Sequence, residues 1–209
     1  VKRFNDKPKV KVTIGVPLWK EGLHPAWVSR FIETITNLPF QTEYIFEKSL
    51  GIHRARTNIV KHSSGEYIFF LDSDVICPQD AILKLIEDDK DIVSALYYKA
   101  QFPHNPQMYI KVGDYKYAPV VEFSEGLVEV DGIGLGACLI KRSVFDKIPE
   151  PWFDLPINSE LSEDLYFCNK AKEHGFKIYV DTRIKCGHVS EVIITEEYFN
   201  LIKPYLIKR

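Results

Sequence analysis

Apolar positions follow two different periods along this chain. Val10 to Val16 is a β-branched, apolar run that stops at Pro17 and predicts a strand. From about Pro25 to Leu38 the spacing becomes that of a helix. Tyr44 to Glu47 predicts a short second strand, and Ile52 to His62 a second helix. Gly65 then breaks the chain ahead of Glu66 to Leu71, whose nearly continuous apolar run fits a strand covered on both faces. Pro78 predicts a helix start with Gln79 to Glu87 behind it, and Asp91 to Tyr98 a further buried strand. Strands alternating with helices imply an α/β, Rossmann-like fold with a mostly parallel central sheet and helices on both faces.

The second half changes character. Gln101 to Val130 has little helical period, carries Pro103, Pro106 and Pro119, and contains short alternating stretches such as Leu127 to Val130. Antiparallel strands, or an excursion over the sheet edge, are expected there. Regular structure resumes with a strand at Ala137 to Ile140, a helix from Ser143, and a proline-rich loop from Pro149 to Pro156. A helix from Ser162 to His174 follows, with Ser162 as N-cap and Gly175 as its stop, and Lys177 to Val180 is the last strand. No internal repeat, low-complexity segment or linker divides the 209 residues, so a single domain over 1–209 is expected.

Composition narrows the function classes. Hydrophobic residues make up 45% and aromatic residues 13%, enough for a sizeable core. Lys and Arg number 27 against 29 Asp and Glu, a net charge of −2 with both signs interspersed, which offers no basic face for nucleic acid. Cys77, Cys138, Cys168 and Cys186 are far apart with no CxxC pair, so reduced, buried thiols are expected and a zinc ribbon or disulfide scaffold is not. No run approaches the ~18 apolar residues of a membrane span, and a cytoplasmic location is expected.

Asp72-Ser73-Asp74 follows directly on Tyr67 to Leu71, where ligands of open α/β sheets bind, beyond the carboxyl ends of strands. Two carboxylates there suit Mg²⁺ or Mn²⁺ carrying a diphosphate; alternatively, one caps the helix after Pro78 and the other is solvated loop. Upstream, Arg54 and Asn58 are four apart and share a helix face, where they could hold a phosphate or ribose, with Arg56 nearly opposite. The plainer account is that such residues solvate an amphipathic helix. Glu163 and Asp164 open the late helix, either as dipole-favoured first-turn acids or as a general base for a hydroxyl. His188, after Cys186-Gly187, comes where the chain could return to the strand ends. The glycines of Asp131-Gly132-Ile133-Gly134-Leu135-Gly136 imitate a dinucleotide fingerprint, but they precede an apolar strand instead of a helix, so positive φ or close approach to a bound sugar is expected of them.

Taken in order, these segments resemble the GT-A fold glycosyltransferases, in particular the large inverting family 2 with its viral and archaeal relatives. Val12 to Pro17 looks like the family's first strand, and Gly65 to Asp74 like its G-x-y-i-x-f-l-D-x-D signature. Gly134 to Arg142 with Pro151-Trp152-Phe153 is similar to its acceptor-side segment. Glu163 to Cys168, followed by Gly175 to Asp181, looks like its E-D helix and the strand after it. One departure is that Thr57 stands between Arg56 and Asn58, where the family has Arg followed directly by Asn. The resemblance implies a nucleotide-binding half over about 10–98, an acceptor-side half over about 99–190 with a small antiparallel portion, and a tail at 191–209. It implies a nucleotide-diphosphate sugar donor bound by Pro17, Arg54, Arg56, Asn58, Asp72, Ser73 and Gly134. Mn²⁺ or Mg²⁺ would be held by Asp74 directly, with Asp72 facing ribose or the metal's water shell and His188 completing the set. Asp164 would be the catalytic base beside Glu163, acting on a hydroxyl of a glycan, protein or lipid-linked acceptor.

Fold and D-x-D do not fix stereochemistry, so a retaining glycosyltransferase is an alternative, and two other functions fit part of the same residues. A nucleotidyltransferase needs a glycine-rich phosphate loop after the first strand, and Leu18-Trp19-Lys20-Glu21 is not one. A catalytically silent sugar-binding or assembly module has no use for the base. The tail, with Tyr198, Phe199, Leu201, Ile202, Tyr205 and Leu206 beside Lys203, Lys208 and Arg209, is a candidate for packing on the domain, for a homo-oligomer contact, or for peripheral membrane contact.

Overall fold

The structure is a computed structural model that describes residues 10–18, 22–36, 38–156, 161–190 and Glu196. Its elements run β1 (Lys11–Pro17), α1 (Pro25–Thr36), β2 (Gln41–Glu47), α2 (Ile52–His62), β3 (Tyr67–Leu71), β4 (Val75–Ile76), α3 (Ala81–Glu87) and β5 (Ile92–Leu96). There follow β6 (Met108–Gly113), β7 (Lys116–Pro119), β8 (Leu127–Val130), β9 (Gly132–Ile133), β10 (Ala137–Lys141), α4 (Arg142–Lys147), α5 (Glu163–Glu173), β11 (Ile178–Lys185) and β12 (Gly187–His188). A seven-stranded sheet in the order β2-β1-β3-β10-β5-β11-β8 forms the centre, with a small sheet β7-β6-β9 and a ribbon β12-β4 beside it.

Strand period two divides the core. In β3, Ile68 and Phe70 face one side while Phe69 and Leu71 face the other, and β10 does the same with Cys138 and Ile140 against Ala137 and Leu139. On the first side these residues pack with Ile59 and Val60 of α2, Phe145 of α4 and Phe167 of α5. On the second they meet Trp27 of α1 and Ala81, Ile82 and Leu85 of α3. Helices therefore cover both faces, which is why β3 reads as an unbroken apolar run and β5 as one interrupted only by Ser94, whose buried hydroxyl bonds backbone carbonyls.

The sheet is mostly parallel, with two exceptions that bear on the site. β10 lies antiparallel between β3 and β5, and β8 closes the far edge antiparallel to β11. An apolar run does not encode strand direction, so β10 could not be assigned one from its composition. Other expectations shift in detail. Pro78 begins a turn and the helix starts at Ala81; its N-cap is Asp80, so neither Asp72 nor Asp74 caps it. The last long strand continues beyond Val180 to Lys185. Ser162 sits at the N-cap of α5, but its hydroxyl bonds the Asp164 carboxylate instead of a backbone N–H. Gly175, at φ 81°, ends that helix as expected. Among the described residues no helix is long and apolar enough to cross a membrane. Residues 1–9, Trp19 to Glu21 and, apart from Glu196, the tail from Glu191 lie outside the described residues.

Candidate active site

The parallel strands β1, β2 and β3 end on one edge of the sheet, and the chemistry-bearing residues gather there. β1 ends at Pro17, and its neighbour β2 ends in register at Glu47. β3 delivers Asp72, whose backbone is held from two sides: its N–H donates to the Gly136 carbonyl (2.9 Å), and its carbonyl accepts the Trp27 indole N–H (2.9 Å). β4 follows immediately and pairs antiparallel with β12, setting His188 opposite Val75. This two-by-two ribbon carries His188 back to the carboxyl end of β3.

Asp74, 8% exposed, places Oδ1 3.4 Å from His188 Nε2. His188 Nδ1 lies 2.7 Å from the Tyr98 carbonyl, which can only accept, so Nδ1 carries a proton and Nε2 is left to face the carboxylate, as a donor when the ring is charged and as a lone pair when it is neutral. Two acceptors face each other favourably only with a proton or a cation between them. Burial alone would lower the His188 pKa; the Asp74 carboxylate and the Tyr98 carbonyl outweigh it and raise it. Among the described residues no three His, Cys, Asp or Glu side chains converge on a metal point. A carboxylate and an imidazole do fit the pattern in which a cation takes its remaining ligands from phosphate oxygens and water.

Asp72 turns the other way. Its Oδ1 accepts from Arg56 Nη2 at 2.9 Å, while Arg56 Nε donates to Glu163 Oε1 at 3.3 Å. Arg56, on α2, is only 1% exposed and lies over the Phe70 ring, 5.4 Å from its centroid. Its guanidinium therefore joins the two acidic motifs inside the fold instead of standing free in a surface cleft. Burial disfavours its charge, but Asp72 and Glu163 reverse that and hold the guanidinium charged. Glu163, 7% exposed, is pushed up to about 7 by burial and then by the adjacent Asp164, against the pull of Arg56. Asp164 itself is half-buried, with Oδ1 held by the Leu165 N–H (3.1 Å) and the Ser162 hydroxyl.

Arg54 is exposed, and it lines a cleft of about 530 Å³ together with Ser49, His53, Asn58, Phe153 and Asp154. Arg54 and Asn58 thus share one wall, as four-residue spacing on a helix requires. Asn58 Nδ2 donates to Glu47 Oε1 (2.8 Å) and Ser49 Oγ (3.2 Å), the Ser49 hydroxyl donates to the same Glu47 oxygen (2.7 Å), and the two bonds that Glu47 accepts hold its carboxyl below its ordinary value. Ser73 is buried beside Asp74. Gly134 and Gly136 do not have positive φ. Their missing Cβ atoms make room for the protein's own Tyr97: a Cβ on Gly134 would sit 2.2 Å from the Tyr97 hydroxyl, and one on Gly136 2.9 Å from both that hydroxyl and Asp72 Oδ2.

Sequence patterns missed Glu47, Tyr97, Gln107 and Tyr109. The Tyr97 hydroxyl accepts the Gly136 N–H (2.9 Å), and burial, then Asp72 and Asp164, raise its pKa. The Tyr109 hydroxyl donates to Gln107 Oε1 (3.1 Å); burial and then Asp164 push it up to about 12. The signal for Glu47 was its position, last in the strand beside Pro17. For the tyrosines there was none, because an aromatic residue at a strand end reads as core.

The sequence profile described as "Glycosyl transferase family 2" matches residues 26–148, more than half of the chain. No curated protein sequence matches it. Among solved structures, A197 from STIV superimposes with a TM-score of 0.62 at 19% identity, over 87% of this chain and 86% of that one. GalNAc-T7, solved with UDP, GalNAc and Mn²⁺, superimposes with a TM-score of 0.63 at 11% identity, over 95% of this chain but 49% of that one. At such identities the likeness concerns the fold, which is GT-A. Profile, fold and the order of the acidic motifs agree: the chain belongs to glycosyl transferase family 2, an enzyme family.

Proposed function

We propose that this protein is a metal-dependent glycosyltransferase that moves a sugar from a nucleotide-diphosphate donor to a hydroxyl acceptor with inversion at the anomeric carbon. The observation that carries this proposal is the Asp74–His188 pair at 3.4 Å, with Nδ1 already committed to Tyr98. An imidazole fixed in this way by a second hydrogen bond is characteristic of a metal ligand. A nitrogen donor also favours Mn²⁺ over Mg²⁺, which prefers oxygen alone. GalNAc-T7, with its UDP, GalNAc and Mn²⁺, supports the choice of ligands by analogy of fold.

Sugar transfer passes through a transition state with positive charge on the anomeric centre and negative charge growing on the leaving diphosphate. A divalent cation at Asp74 and His188 would offset that negative charge. Arg54 and Asn58 offer the nucleoside and phosphates hydrogen-bonding groups along one wall of the cleft, with Glu47 holding the Asn58 amide. Asp72, oriented by Arg56, faces the donor from below. Asp164 accepts the proton of the acceptor hydroxyl as its oxygen attacks, and the half-buried carboxylate is reachable where Glu163 is not. Glu163 keeps Arg56 in position. Pro17, at the end of β1, and Ser73, between the two aspartates, would bound the donor end, and Gly134 leaves room for Tyr97.

The test pairs binding with turnover. Asp164→Asn should retain Mn²⁺-dependent binding of the donor diphosphate by calorimetry while losing transfer by at least ~100-fold, the usual range for a general base. Asp74→Ala should lose binding of metal and diphosphate together. Diphosphate binding that is indifferent to metal in the parent protein would overturn the assignment.

A further inference from the structure

The ribbon that brings His188 to Asp74 holds a second chemical feature, which the transfer reaction does not use. Its register pairs His188 with Val75 and Gly187 with Ile76. One residue further out, the same register sets Cys186 across from Cys77. The Val189 N–H donates to the Asp74 carbonyl at 2.7 Å, bracketing the His188/Val75 pair, which is therefore of the non-hydrogen-bonded kind. Alternation makes Cys186/Cys77 non-hydrogen-bonded as well. Such pairs place Cα atoms ~4.5 Å apart, within the window a disulfide requires. The two Sγ atoms lie 3.3 Å apart, both thiols are free, and the residues are 4% and 8% exposed. Cys138 and Cys168 differ: their sulfurs point to the Leu139 and Ile133 carbonyls.

We propose that Cys77 and Cys186 form a redox modification site, a thiol pair that closes into a disulfide across the β4–β12 ribbon and locks Asp74 against His188. The oxidant is a low-molecular-weight disulfide of the glutathione class. One protein thiolate attacks its S–S bond and releases one glutathione, leaving a mixed disulfide. The second protein thiolate then displaces the other glutathione. The pair gives up two electrons and two protons, which end as two glutathione thiols. Bringing the sulfurs from 3.3 Å to a bonded ~2.05 Å takes a side-chain adjustment, with no shift of strand register. The bond would close a loop spanning 109 positions of sequence between two segments that the native state already holds together, which is where a cross-link constrains the unfolded chain most. The importance of that lock for catalysis rests on the proposed function; the thiol chemistry does not.

The experiment equilibrates the whole chain in buffers of graded reduced to oxidised glutathione, quenches exchange with acid, alkylates the remaining thiols with excess N-ethylmaleimide in denaturant near neutral pH, and reads intact mass and cross-linked peptides. Two of the four thiols should become protected, and one linked peptide pair should contain Cys77 and Cys186. The oxidised form should melt on the order of 10 °C higher than the reduced form. Dithiothreitol should abolish that shift, Cys138→Ala should preserve it, and Cys186→Ser should never show it. Four alkylated thiols at equilibrium with excess oxidised glutathione would overturn the proposal. So would a mixed glutathione adduct that stays on one cysteine, or a link to Cys138 or Cys168. Absence of sugar transfer in both the reduced and the oxidised protein, with the disulfide formed in the second, would contradict the proposed function and leave the thiol pair standing.

Discussion

Replacing Arg56 with methionine tests the idea that one buried guanidinium organises the site. Methionine keeps most of the aliphatic volume over Phe70, so the change is chiefly electrostatic. It removes two charged hydrogen bonds, 2.9 Å to Asp72 and 3.3 Å to Glu163, and leaves both carboxylates without their cation. Breaking a buried ion pair from one side costs about 3–5 kcal/mol, because the remaining charge must be protonated or solvated. For a chain of this size that corresponds to a fall in Tm of roughly 6–20 °C at ~2–4 °C per kcal/mol. Equilibrium urea unfolding at pH 7.5 measures it directly. Adding Glu163→Gln should restore part of the loss, since the second change removes one of the orphaned carboxylates, with a coupling of about 1–3 kcal/mol. A loss below about 1 kcal/mol, or strictly additive single changes, would mean that the guanidinium does not hold the two acids together.

Gly134→Ala should destabilise by about 1–3 kcal/mol, because its Cβ would sit 2.2 Å from the Tyr97 hydroxyl; chemical denaturation should show Tyr97→Phe relieving part of that loss in the double variant. Glu163 titrates near 7 in the native state against 4.5 when free, so the native state holds the extra proton between those values. Stability from this group is present below about pH 4.5 and is lost as pH rises through 7. In urea midpoints measured from pH 4.5 to 8, Glu163→Gln should accordingly show a flatter decline than the parent.

Part of this architecture is plain in the chain because local pattern and tertiary role coincide. Tyr67 to Leu71 is apolar throughout because β3 is covered on both faces, and the switch to Asp72-Ser73-Asp74 marks the point where it leaves the core. The helix opened by Glu163 and Asp164 and the glycine that stops it follow the same logic. What stayed hidden depends on long-range partners. β4 and β12 are two residues each, too short for any period, yet they set the distance between Asp74 and His188. Arg56 read as a donor-binding residue or else a solvent-facing helix charge, because nothing local shows that carboxylates 16 and 107 residues away will meet it. The glycines at 134 and 136 signalled close approach correctly in kind, but the group that approaches is the chain's own Tyr97. The tail's fate lies outside the described residues.

The most direct measurement is release of nucleoside diphosphate from a panel of UDP-, GDP- and dTDP-sugars with Mn²⁺, repeated with a chelator and with Asp164→Asn. The account predicts release from one donor class, abolished by the chelator and by the substitution. Release that survives the chelator, or that Asp164→Asn leaves intact, would contradict it.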